Sequence, residues 1–277
     1  MKFKLNLIQA SLVAAMSVAS AGASAVVFND FTVDPDSVAG GTTFVADKIT
    51  GNYVEVVTFD GAGNFATSIK WEAGQFVAND GNDPLPAGFG GTGLGNTYLM
   101  YGFLQGGGTF STVAGVTTFN FAPGGSLNVW IDYDGSSAGV NAFTAPDTGA
   151  DPWTVTGTDT LIATGELLGG TGTLNPFLST CGPSDVNPGG SGINCGSFGT
   201  TTSFLLTAAG SDFFILPSPF YNLSFESGQL NSFEVSGTQT INGSLDVVFG
   251  VPEPTSIALM GLGLVGLGVS LRRRKQA

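Results

Sequence analysis

In Leu127–Tyr133 the chain alternates strictly. Leu127, Val129, Ile131 and Tyr133 fall on one side, and Asn128 and Asp132 fall on the other with Trp130. Period two is the pattern of a strand with one buried face; wound into a helix, the same residues would scatter around the axis. Phe65–Trp71 repeats it, with Phe65, Ile69 and Trp71 on one face and Lys70 pointing away. The chain also reads as strand at Val26–Val33, Phe44–Ile49, Tyr53–Phe59, Thr97–Leu104 and Thr117–Phe121. Later strands are expected at Thr202–Ala208, Phe213–Leu216, Phe233–Thr240 and Leu245–Phe249. Turn formers separate these runs at Thr50-Gly51-Asn52, Asp60-Gly61, Gly106-Gly107-Gly108 and Pro123-Gly124-Gly125. Asn242-Gly243 fits a two-residue hairpin turn. Asp159–Leu168 reads alternatively as one short helix. Many short strands with regular turns predict an all-β fold, an antiparallel β-sandwich or jelly-roll-like body.

The two ends of the chain do not share this pattern. Residues 1–25 read as a secretory signal peptide. Lys2 and Lys4 precede an apolar stretch, and Ala23-Ser24-Ala25 supplies a small-x-small cleavage site formed by Ala23 and Ala25. Residues 251–277 have three parts. Pro252-Glu253-Pro254 is stiff and extended, because proline fixes φ and biases its predecessor away from helix. Thr255–Leu271 carries no charge and as a helix would span about 26 Å, close to the ~30 Å hydrocarbon core of a bilayer. Arg272, Arg273, Arg274 and Lys275 then form a block that resists translocation. Residues 26–250 are left as a single body.

The tail resembles the PEP-CTERM sorting signal of exopolysaccharide-producing Gram-negative bacteria. The resemblance rests on Pro252, Glu253, Pro254, the glycine-studded apolar run and the Arg272–Arg274 cluster. It implies an exosortase and the secretion machinery as partners, and passage through the inner membrane by an uncleaved C-terminal transmembrane helix. It also implies a final location at the cell surface or in the extracellular matrix.

The body carries two cations, Lys48 and Lys70, against 20 carboxylates, a formal charge of −18. Such a surface repels nucleic acid and anionic lipid. The chain contains no histidine, which removes Ser-His-Asp and Cys-His catalysis and histidine-ligated zinc. A glycosidase would need two converging acids from Glu55, Glu72, Glu166, Glu226 and Glu234. Asp132 and Asp134 end one strand face and are the candidate Ca²⁺ ligands. No other cofactor is expected. Cys181 and Cys195 flank a Gly/Pro/Asn-rich loop, and in an exported chain such a pair is expected to form a disulfide. Long loops at Asn79–Asn96 and Gly135–Trp153 could carry binding.

Phe28–Asp34, Phe44–Gly51 and Tyr53–Val57 resemble the N-terminal region of flocculation-associated PEP-CTERM proteins. That resemblance implies an adhesive matrix component without catalysis. The leading expectation is therefore an exported, exosortase-processed acidic protein that associates with exopolysaccharide and promotes floc or biofilm formation. The alternatives are a lectin-like carbohydrate-binding module working through the long loops, and a carboxylate-pair glycan-processing enzyme.

Overall fold

The computed structural model of the chain describes residues 28–35, 42–88, 90–133, 142–157, 159–181 and 192–251. In chain order the strands begin with β1 (Phe31–Val33), β2 (Phe44–Ala46), β3 (Lys48–Phe59), β4 (Asn64–Ala78) and β5 (Asp83–Pro84). They continue with β6 (Leu99–Val113), β7 (Val116–Phe121), β8 (Gly124–Asp132), β9 (Ala142–Thr144), β10 (Thr154–Thr156) and β11 (Thr160–Leu174). β12 (Gly196–Ser203) and β13 (Leu205–Leu206) precede the one short helix among the described residues, α1 (Ala208–Phe213). β14 (Phe214–Leu216), β15 (Leu223–Leu230) and β16 (Thr238–Gly250) complete the set.

The long strands form one sheet that closes on itself. β3 pairs with β16 on one edge and β4 on the other; β4 pairs with β6, and β15 and β12 lead from β16 to β11. β7 and β8 together fill the place between β6 and β11. β8 pairs with Leu99–Gln105 of β6, and β7 pairs with Gly108–Val113. All of these pairings are antiparallel, and ring neighbours follow one another in the sequence. The antiparallel all-β expectation holds. The connections, however, are those of an up-and-down ring, so the two facing layers are halves of one rolled sheet without jelly-roll crossovers.

Period two sets what the ring encloses. Ile49, Tyr53, Val57 and Phe59 of β3 point inward, as do Phe65, Ile69 and Trp71 of β4 and Leu127, Val129 and Ile131 of β8. Lys70, Asn128 and Trp130 alternate with them on the outside. Apart from a few polar groups bonded to one another, the barrel is thus apolar inside and largely polar outside, the reverse of a membrane-spanning barrel's alternation. No helix among the described residues is long and apolar enough to cross a membrane.

Phenylalanines close both ends. At one end β1 pairs with β2 and β14 in a small separate sheet, and Phe31 packs on Phe76, Phe214, Phe220 and Phe249. At the other end Phe59 meets Phe110, Phe119 and Phe233. The described interior keeps two small cavities of about 50 and 20 Å³.

Inside the ring, large rings lie over glycines. The Trp71 indole passes over Gly51 and donates to the Leu245 carbonyl at 3.1 Å. Tyr53 passes over Gly243 and its hydroxyl donates to the Gln229 carbonyl at 2.7 Å. The Phe198 ring covers Gly228, where a Cβ would sit 2.3 Å from the ring. Phe198 cannot retreat, because it is buried and packed edge-on against Tyr53. Gly228→Ala should therefore destabilise the fold by about 1–3 kcal/mol, read as a lower urea midpoint.

This device corrects several turn assignments. Thr50-Gly51-Asn52 lies inside β3, and Asn242-Gly243 lies inside β16 opposite Val54 and Tyr53. Their glycines make room for rings instead of reversing the chain. Gly106-Gly107-Gly108 runs through β6, where a Cβ on Gly107 would meet the Phe65 carbonyl at 2.6 Å. The two-residue hairpin turn is Ala114-Gly115 between β6 and β7, both with positive φ. Asp60-Gly61 is a turn as expected, held by the Asp60 carboxylate accepting from the Ala62 and Asn64 amides. Asp159–Leu168 is not helical. It belongs almost entirely to β11, whose bulges against β8 at Leu161/Ala163 and Gly165/Leu167 disturb its alternation. Residues 233–237 are likewise outside any strand, and β16 starts at Thr238.

Candidate functional site

Of the residues singled out by sequence, Cys181 and Cys195 are joined as expected, both fully buried, with Cα atoms 4.7 Å apart. Backbone bonds tie Cys195 to both sides, its carbonyl accepting from Asn175 and its amide donating to Leu230. The bridge anchors the β11–β12 connection to the end of β15. Replacing both cysteines by serine should cost about 3 kcal/mol, checked by denaturant unfolding with and without reductant. Ala23, Ala25, Pro252, Glu253, Pro254, Arg272, Arg273 and Arg274 lie outside the described residues.

Asp132 ends β8 and is buried, while Asp134 lies outside the described residues. In the Asn79–Asn96 loop the Gly81 amide donates to the buried Asp47 carboxylate at 3.0 Å. Burial raises the Asp47 pKa, with Asp30 and Asp80 adding repulsion. Among the described residues no group of three or more His, Cys, Asp or Glu side chains is placed to hold a metal ion.

Two glutamates point into the barrel. Glu226 of β15 accepts from the hydroxyls of Thr200, Thr202 and Ser224, each at 2.8 Å. Glu55 of β3 accepts from Thr67. Burial outweighs these bonds and pushes both carboxyls up to about 7. The two do not converge. Glu226 pairs with Val247, which pairs with Ile49, and Glu55 lies six residues further along β3. That is roughly 20 Å along the strand, well beyond the ~5–9.5 Å between the carboxyls of a glycosidase. Each lines a different internal cavity. Glu72 is ion-paired to Lys70 at 3.0 Å on the outer surface, and Glu166 and Glu234 are exposed.

An aromatic-lined groove lies on the outside of the barrel. Strand register builds it row by row. Lys70, Phe103 and Asn128 are lateral neighbours on β4, β6 and β8. Ser68, Gln105 and Ser126 form the next row, and Glu72, Tyr101 and Trp130 the row before. The β9–β10 hairpin folds over this face. Phe143 packs edge-on against Tyr101 at 5.0 Å, and Trp153 lies 6.5 Å from Phe103 with its Nε1 donating to the Ser68 carbonyl at 3.0 Å. Trp130 stacks on Tyr101 at 5.4 Å. Between hairpin and sheet remains a groove of about 320 Å³, lined by Phe103, Trp130, Trp153, Gln105, Ser126 and Asn128 among others. Its walls combine aromatic rings with neutral amides and hydroxyls, an apolar lining with a few polar groups of the kind ligand pockets use.

The sequence offered one hint of this groove. Trp130 stands on the polar side of its strand, where a large ring has no core to fill. Trp153 belongs to the expected long loop Gly135–Trp153, and only folding brings it to Phe103.

The family model of the PEP-CTERM protein-sorting motif matches residues 250–275. No curated protein and no solved structure matches the chain.

Proposed function

We propose that this chain, which carries a PEP-CTERM sorting motif and is thereby an exported substrate of an exosortase, is a non-catalytic protein of the cell surface or extracellular matrix. In this reading it associates with exopolysaccharide and promotes cell aggregation. The observation that carries the reading is the sorting motif at residues 250–275. The body supports it. The buried Cys181–Cys195 disulfide suits an oxidising compartment outside the cytosol. Its formal charge of −18 suits an extracellular acidic protein. The buried glutamates are too far apart to act as a catalytic pair.

The test is deletion of the gene followed by complementation. Loss of floc or biofilm cohesion that the wild-type gene restores is the expected result. Unchanged aggregation and unchanged matrix composition in the deletion strain would overturn the reading.

A further inference from the structure

We infer that the outer groove of the barrel is a glycan-binding site that takes an uncharged polysaccharide chain built of pyranose units; the inference rests on the matrix reading above.

Chemistry argues for a sugar. A pyranose presents an apolar C–H face and a rim of hydroxyls. The groove presents the partly exposed rings of Phe103 and Trp130 beside the side chains of Asn128, Gln105 and Ser126. Asn128 makes no side-chain hydrogen bond among the described residues, so both its donor and its acceptor remain for a ligand. Gln105 spends its amide nitrogen on the Ala150 carbonyl, which holds the covering segment in place and leaves its oxygen as an acceptor. The floor is sheet and Trp153 is pinned to Ser68, so little ordering remains to be done on binding.

Charge argues for a neutral one. The nearest cation, Lys70, is bonded to Glu72 and lies 4.4 Å over the Phe143 ring. The body's other cation, Lys48, is paired with Asp246 at 3.4 Å. No cation is left to receive uronate or sulfate groups, and the −18 body repels them.

Shape argues for a chain. Gln105 also lines a second, open groove of about 430 Å³. Its floor is largely the glycine backbone of Gly106, Gly107, Gly124 and Gly125. A polymer gripped at the aromatic section can run on over this floor, whereas a single sugar would use only the first section.

The test is affinity electrophoresis of the purified exported protein through gels containing dextran, galactomannan or xyloglucan, with alginate and polygalacturonate as anionic counterparts. Retardation by an uncharged polymer is expected. Trp130→Ala and Asn128→Ala should each weaken it by about tenfold. Asn128→Ala removes no core contact and should keep the wild-type melting temperature, which separates lost binding from lost folding. Retardation by anionic polymers alone, no retardation at all, or equal retardation of wild type and both variants would overturn the inference. The matrix reading is judged separately by the deletion phenotype. A strain whose aggregation is restored fully by the Trp130→Ala gene would refute the groove and leave matrix association standing.

Discussion

As pH rises from about 4.5 to above 7, the protein is expected to lose on the order of 3 kcal/mol of stability for each of Glu55 and Glu226. Unfolded, each carboxyl gives up its proton near 4.5; folded, it holds the proton until about 7, because the barrel interior disfavours the charge. The native state therefore binds more protons across that window, and ionisation favours unfolding. The contribution is fully present below pH 4.5 and gone once pH passes the folded value. Urea unfolding measured at a series of pH values reads the slope. Surface carboxylates repel one another in the same direction, so Glu55→Gln with Glu226→Gln is the control. The double variant should flatten most of the decline and be the more stable protein above pH 7. Wild-type stability that stays level or rises across the window would show that the two carboxyls are not buried as described.

Phe249→Ala should cost about 3–5 kcal/mol, the second large effect. Phe249, next to the last residue of β16, touches Phe31, Phe204, Phe214 and Phe220, so it joins the ring to its aromatic plug. Its carbonyl also accepts from the Asn29 side chain at 3.0 Å. Removing the ring leaves a cavity bounded by rigid neighbours, which cannot collapse to fill it. Thermal unfolding of the variant should start earlier, and amide exchange in β1 and β14 should rise before exchange in β3 and β4. Uniform loss of protection across all strands would mean that plug and barrel do not separate.

The sequence revealed strands best where apolar and polar residues alternate without interruption. Leu127, Val129 and Ile131 alternate cleanly and face the core as expected. β15 was invisible because its inward residues include Ser224, Glu226 and Gly228, while Phe225 faces outward. Polar groups bonded to one another inside a barrel invert the hydrophobic pattern. β11 imitated a helix because its bulges bury both Ile162 and Ala163. Gly51 and Gly243 imitated turns because a missing Cβ serves two purposes, and only the neighbouring strand shows that a ring fills the space. The disulfide was legible because two cysteines in an exported chain leave one pairing. The groove was largely illegible, since its rows are set by register across three strands and by a hairpin that crosses them.

The proposed function stands on export and processing, so the most direct measurement is the intact mass of the protein recovered from the extracellular matrix, with and without a working exosortase. A form that starts at Val26 and ends near Pro252–Thr255, present in the matrix and lost when the enzyme is absent, is the expected result. A chain still ending at Ala277 and held in the membrane in both strains would contradict it.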